Sequence, residues 1–202
     1  MKKIITILAL FILLHAPAFA QKESDFGFLN GAILSYEGND TDVVIPAQIN
    51  SIPVTSIGKN AFANNQLTSV TIPDSVTVIE EHAFAFNKLR TVTIPDSVTT
   101  IGSGAFYFNE LTSINLGNSI RIIKDSAFCE NRLTNIIIPE SVIEIQQCAF
   151  WANPLGSITI GANVELNKSY FEVFVYGFDD FYEINNKRAG TYINRIRGWS
   201  IQ

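Results

Sequence analysis

The chain is predicted to be a repeat solenoid, in which short units wind into one coil and stack along an axis. Three observations predict it. The dipeptide Ala-Phe recurs five times at an interval of 22 residues, at Ala61-Phe62, Ala83-Phe84, Ala105-Phe106, Ala127-Phe128 and Ala149-Phe150. Five columns of aliphatic residues share that period, including Leu67, Leu89, Leu111, Leu133 and Leu155, and Ile57, Ile79, Ile101, Ile123 and Ile145. An asparagine follows each Phe by three residues, at Asn65, Asn87, Asn109, Asn131 and Asn153. A fixed period of this length means that each unit is one turn that buries its apolar face only against its neighbours.

One unit, Leu67 to Lys88, reads LTSVTIPDSVTVIEEHAFAFNK. Its opening, L-x-x-V-x-I, predicts a short strand with positions four and six inward and positions three and five outward. Pro73, Pro95 and Pro139 end that strand because proline cannot donate to a ladder. Gly117 and Gly161 take the same column as a turn. Val76 to Ile79 predicts a second extended segment. The Ala-Phe segment predicts a single helical or 3₁₀ turn, with Ala allowing close approach and Phe filling the centre. The asparagines, and the serines Ser75, Ser97, Ser119 and Ser141, read as scaffolding. Each Asn is expected to take a left-handed turn or to bond the backbone at a corner.

Residues 1–20 read as a signal peptide: Lys2 and Lys3, then an uncharged run from Ile4 to Leu14, then Ala18-Phe19-Ala20 before Gln21. The run is shorter than the roughly 20 residues that span a bilayer, and no later stretch is long enough. An exported product is expected, without a membrane span: secreted, surface-bound or periplasmic. The formal charge of −5 becomes −7 without the two lysines. An acidic chain with no basic run is not expected to bind nucleic acid. Residues 21–53 are expected to form an N-terminal cap and an atypical first unit, 54–164 the array, and 165–202 an aromatic-rich C-terminal cap. Phe26–Leu29 and Ala32–Tyr36 around Asn30-Gly31 predict a hairpin with a type I′ turn. At the other end, Phe181–Ile184 and Thr191–Ile193 are expected to be hairpin arms around Asn185-Asn186. The rings of Tyr170, Phe171, Phe174, Tyr176, Phe178, Phe181, Tyr182, Tyr192 and Trp199 are expected to cover the last coil, with a carbohydrate- or protein-binding platform as the alternative. Lys187, Arg188, Arg195 and Arg197 read as a solvated rim.

The chemistry-bearing residues are sparse. After residue 20 the one histidine is His82, in a variable column, so no nucleophile has a second imidazole to draw on. Asp74, Asp96 and Glu140 share a column after proline, where an acidic residue suits a turn tip. No catalytic residue, metal site or cofactor site is assigned. Cys129 and Cys148 are 19 residues apart and fall on adjacent coils. Their separation is near the Cα limit of about 7 Å for a disulfide, which leaves a bridge or two free thiols open. The candidate ligand surface is the outward strand face: Ser69, Thr71, Thr91, Thr93, Ser113, Asn115, Asn135, Ser157 and Thr159, with Ile137 among them. A second candidate is the flank of the Ala-Phe turns, with Phe86, Tyr107, Phe108 and Trp151.

The repeated L-x-x-V-x-I-P-x-S-V-x-x-I-x-x-x-A-F resembles the BspA-like class of bacterial leucine-rich repeats, over roughly Val43 to Val164. The lead-in TDVVIPAQINSIPVTSIGKNAF resembles the longer first unit of such arrays, and FYEINNKRAGTY their closing segment. The resemblance implies a right-handed leucine-rich-repeat-like coil with parallel strands on a concave face and β-hairpin caps. It also implies a non-enzymatic secreted or surface protein. Its expected partner is a protein: a host matrix or plasma protein, or a bacterial envelope protein. A self-assembling envelope component is the alternative, and a hydrolase with an acidic site the remote one. The oligomeric state is left open.

Overall fold

The computed structural model describes residues 21–167, 173–174, 177–195 and 198–201. Residues 1–20, over which a signal peptide is expected, and Tyr170, Phe171, Tyr176 and Arg197 lie outside the described residues.

Each 22-residue unit makes one coil with two strands. The first strands form a front layer: Asp42–Val44, Ser69–Thr71, Thr91–Thr93, Ser113–Asn115, Asn135–Ile137 and Ser157–Ile160. Their middle residues point inward while Ser, Thr and Asn point out, as the two-residue period requires. They hydrogen-bond in three parallel pairs, Asp42–Val44 with Ser69–Thr71, Thr91–Thr93 with Ser113–Asn115 and Asn135–Ile137 with Ser157–Ile160, so Thr91 faces Ser113 and Asn135 faces Ser157. The second strands form a rear sheet: Ser56–Ile57, Val78–Ile79, Thr100–Ile101, Ile122–Ile123, Glu144–Ile145 and Glu165–Leu166, all parallel. Between front and rear strands the proline column closes a turn, with the Val76, Val98 and Val142 N–H groups bonding the Pro73, Pro95 and Pro139 carbonyls at 3.1 Å. Glycine replaces proline at Gly117 because a Cβ there would stand 2.3 Å from the Pro95 carbonyl oxygen.

The Ala-Phe corner alternates its backbone donors. The Ala83 and Ala85 N–H groups bond three residues back, to Glu80 and His82 carbonyls, as in a 3₁₀ turn. The Phe84 N–H between them crosses to the Ala105 carbonyl of the next coil at 2.8 Å. Phe62, Phe106 and Phe128 do likewise. This alternation needs left-handed residues on both sides. They are Asn60, His82, Gly104, Ser126 and Cys148 before the Phe, and Asn64, Phe86, Phe108, Glu130 and Ala152 after it.

The rings of Phe62, Phe84, Phe106, Phe128 and Phe150 form one buried file at 5.0–5.3 Å spacing and within 15° of parallel. Two further rings extend it. Tyr36 stacks on Phe62 at 5.4 Å, and its N–H bonds the Ala61 carbonyl as a Phe would. Phe174 stacks on Phe150 at 5.1 Å, with Val173 in the place of Ala accepting the Phe150 N–H. Phe174 is therefore a seventh ring of the file and part of a sixth coil, not only cover for the last one. Its offset of 24 residues, and Val for Ala, hide it from a strict 22-residue template.

The asparagine column is the second interior file. Asn87, Asn109, Asn131 and Asn153 are 5–7 % exposed. The Asn109 Nδ2 donates to the Phe84 carbonyl at 2.9 Å and the Phe106 carbonyl at 3.2 Å, while its Oδ1 accepts the Leu89 N–H at 3.1 Å. Asn87, Asn131 and Asn153 repeat the set. Of the two expectations for this column, backbone bonding holds. The left-handed residue stands one position earlier.

The N-terminal hairpin forms as expected, Phe26–Leu29 against Ala32–Tyr36, with Asn30 and Gly31 at φ 50° and 87° as a type I′ turn requires. Its second strand begins the rear sheet by pairing in parallel with Ser56–Ile57. The first coil is longer because a small hairpin, Gln48–Ile49 with Ile52–Pro53, is inserted in it. The C-terminal hairpin assignment is corrected. Phe178–Ile184 is an α-helix, and the strand that includes Thr191–Ile193, Gly190–Arg195, pairs antiparallel with Ser157–Ile160 and with Gly198–Ile201. Phe178, Phe181 and Tyr182 have the i, i+3, i+4 spacing of one helical face, and Asp179 and Asp180 suit the positive N-terminus. Phe178 closes the ring file edge-on to Phe174 at 4.9 Å. The Tyr182 hydroxyl ties the helix to the array by donating to the Gly161 carbonyl at 2.6 Å. Lys187 is ion-paired with Glu165 at 2.8 Å, an anchored side chain and not a solvated rim.

Cys129 and Cys148 are free thiols. Burial, with Cys148 adding repulsion, pushes the Cys129 thiol up to about 12. At pH 8 iodoacetamide is expected to alkylate the less buried Cys148 first, with Cys129 reacting only on unfolding. Peptide mapping by mass spectrometry checks the order. Asn109→Ala strands the buried Leu89 N–H and leaves the Phe84 and Phe106 carbonyls one donor each, from Asn87 and Asn131, so it is expected to cost about 2 kcal/mol. Urea denaturation measures it, with Asn115→Ala, an exposed strand residue without a side-chain hydrogen bond among the described residues, as the control expected to cost far less.

Candidate interaction surfaces

The outward residues of the front layer lie where the strand period puts them. Ser69, Thr71, Thr91, Thr93, Ser113, Asn115, Asn135 and Ile137 are exposed, and Ser157 and Thr159 are half-buried. The difference has a cause: Gly190–Arg195 pairs beside Ser157–Ile160, and Thr159 Oγ1 lies 2.9 Å from Thr191 Oγ1. At the opposite edge Ser69 Oγ bonds the Asp42 carboxylate. Between them Thr71, Thr91, Thr93, Ser113, Asn115 and Asn135 have no side-chain hydrogen bond among the described residues.

The threonines that precede a strand behave otherwise. Before rear strands Thr55, Thr77 and Thr99 each donate to a carbonyl one coil earlier, Gly31, Thr55 and Thr77, at 3.1–3.3 Å. Before front strands Thr68 and Thr112 donate to the Thr41 and Arg90 carbonyls at 3.1 and 3.3 Å. Thr serves the scaffold just before a strand and stays uncommitted when it points outward within a front strand. Two shallow hollows occupy the front. One, of about 400 Å³, is lined by Ser69 to Ile72 and Thr91 to Thr93, with Asp74 and Pro95. The other, of about 380 Å³, is lined by residues that include Asn115, Asn118, Asn135 and Ile137. Ile137 is 70 % exposed, an apolar side chain standing among hydroxyls and amides.

The corner flank is the second surface. Phe86 and Phe108 are 45 % and 54 % exposed, and with Tyr107 they form a cluster with centroids 5.3–6.1 Å apart. Beside them a charged groove of about 460 Å³ is lined by Lys88, Glu110, Glu130 and Arg132 over the buried Asn87, Asn109 and Asn131. Glu110 pairs there with Arg132 at 3.2 Å and with Arg90 at 3.9 Å. Reading the sequence as separate columns finds these aromatics but not their contact, which depends on how neighbouring coils are offset.

The chemistry-bearing residues are scattered. His82 is held in a left-handed corner with Nδ1 3.4 Å from Glu81 Oε1. Asp74, Asp96 and Glu140 are exposed turn tips, and Asp96 Oδ1 accepts the Asn118 N–H at 2.8 Å. Among the described residues no group of three or more His, Cys, Asp or Glu is placed to hold a metal ion, and no helix is long and apolar enough to cross a membrane.

Comparison with known proteins agrees with this geometry. The BspA type leucine rich repeat region matches residues 55–174 in six copies, the sixth reaching Phe174. The crystal structure of the Treponema pallidum leucine rich repeat protein (TpLRR) is similar at a TM-score of 0.63 and 27 % identity, over 73 % of this chain and 81 % of that one. The pneumococcal vaccine antigen PcpA shares the fold at a TM-score of 0.54 and 24 % identity, over 61 % of this chain and 31 % of that one. No curated protein matches. With the repeat, the ring file and the match over 120 residues in agreement, the chain belongs to the BspA-type leucine-rich repeat family.

Proposed function

We propose that this chain is an exported, non-enzymatic adhesion module that binds a protein through its front face. The observation that carries the reading is a row of six outward residues within the front strands, from Thr71 to Asn135, that keep free donors and acceptors. The threonines just before a strand, Thr68, Thr77, Thr99 and Thr112, spend theirs on the scaffold. Four rungs at about 4.8 Å give a rigid polar surface that costs little conformational entropy to present. The leader-like residues 1–20 support export to the cell surface, the periplasm or the medium. The partner class that fits the family is an extracellular-matrix, plasma or envelope protein.

Self-assembly is the second reading, favoured by the exposed Ile137 on the same face. Light scattering distinguishes them. A stable oligomer that dissociates on Ile137→Lys supports assembly, and a monomer supports the adhesion reading.

Residues 21–202 and a Thr71→Lys, Thr93→Lys variant are to be tested by biolayer interferometry against purified matrix and plasma proteins. The variant is expected to lose about tenfold or more in affinity for whichever protein the wild type binds. Equal binding by both would remove the front face from the account.

A further inference from the structure

The column just after each core phenylalanine reads Ala63, Ala85, Tyr107, Cys129, Trp151. Two large rings thus stand two coils apart, and the rung between them holds only Cys129, which is 5 % exposed. At about 4.8 Å per rung the rings are roughly 10 Å apart along the axis. The missing rung is a pocket of about 350 Å³ walled by Tyr107 and Trp151, floored by Cys129 and Cys148, and rimmed by Glu130, Ser126 and His82.

Charge completes the description. Glu130 is half-buried and has no ion pair among the described residues, and Asp125, on the same coil, has none either. No lysine or arginine lines the pocket, and His82 is turned to Glu81. A cation midway between the rings lies about 5 Å from each, inside the roughly 6 Å reach of a cation–π contact. A carboxylate on the vacant rung supplies its counter-charge.

We propose that this pocket receives an arginine side chain of a protein partner, its guanidinium stacked between Tyr107 and Trp151 and bonded to Glu130. A guanidinium is flat, weakly hydrated and rich in donors, which suits an aromatic slot with a carboxylate at its edge. Lysine is more strongly hydrated, and a quaternary ammonium has no N–H for Glu130. A protein and not a free small molecule is the source because the surface continues beyond the slot. Phe86 lies 5.3 Å from Tyr107, and Phe108 5.8 Å from Phe86. Both exposed phenylalanines are held at φ 57° and 53°, a backbone state that disfavours bulky side chains and that Asn64 occupies in the first copy. An exposed ring kept in a strained position is a mark of a contact surface. This site is on a different part of the coil from the front face and stands independently of the reading above.

Trp151 and Trp199 are the two tryptophans, so intrinsic fluorescence reports on the slot. Titration with Ac-Leu-Arg-Leu-NH2 is expected to give a saturable change that disappears in Trp151→Phe. The lysine and norleucine peptides of the same frame are expected to bind about fivefold or more weakly. L-arginine amide is expected to bind about threefold or more weakly, for want of the Phe86 and Phe108 contacts. Glu130→Gln and Tyr107→Ala are each expected to lose about fivefold or more, and Thr93→Lys nothing. Equal binding of the arginine and norleucine peptides would overturn the assignment, as would preference for a phenylalanine peptide, or no loss in Glu130→Gln. L-arginine amide binding as well as the peptide would overturn the protein source. Should Tyr107→Ala fail to fold, the peptide comparison on the wild-type chain decides alone.

Discussion

A buried carboxamide ties each coil to the one before it. The Asn109 side chain closes its own corner through the Phe106 carbonyl and reaches the previous coil through the Phe84 carbonyl and the Leu89 N–H. The Leu89 N–H would otherwise be stranded beside a file of phenylalanines, and a buried N–H is costly to leave unpaired. Each carbonyl is shared by two successive asparagines, Phe84 by Asn87 and Asn109 and Phe106 by Asn109 and Asn131. Only a short side chain with both a donor and an acceptor at its tip does the job. Asp has no donor, and Ala has neither. The Phe file depends on this bond, because stacking at 5.0–5.3 Å requires every corner to repeat in the same register.

The repeated positions were readable from the sequence because each residue in a column solves one local problem many times over. The strand ended by Pro73, the outward Thr93 and the buried Phe106 follow from the period alone. The ends were harder. Tyr36 and Phe174 belong to the ring file, but their spacings of 26 and 24 residues break the template. The strand expected over Phe181–Ile184 is instead part of the helix Phe178–Ile184, whose i, i+3, i+4 aromatics share one face. Tertiary packing against Phe174 and Gly161 decides that segment, and no repeat column records it.

The candidate surfaces were legible to different depths. Which front residues point outward follows from strand alternation. That their hydroxyls are uncommitted, while those of Thr77 and Thr99 are bonded, becomes visible only once the coils are stacked. The slot between Tyr107 and Trp151 likewise exists because position 129 is small while its neighbours two coils apart are large. Variation within a regular column is where a solenoid has room for individual recognition, since the remaining columns are committed to the coil.

Amide hydrogen exchange of residues 21–202 by NMR tests the carboxamide account most directly. The N–H groups of Leu67, Leu89, Leu111 and Leu133 each bond an asparagine Oδ1 at 2.9–3.1 Å. They are predicted to exchange among the slowest in the molecule, through the cooperative opening of the array. Exchange of these four as fast as that of an exposed loop amide would contradict it.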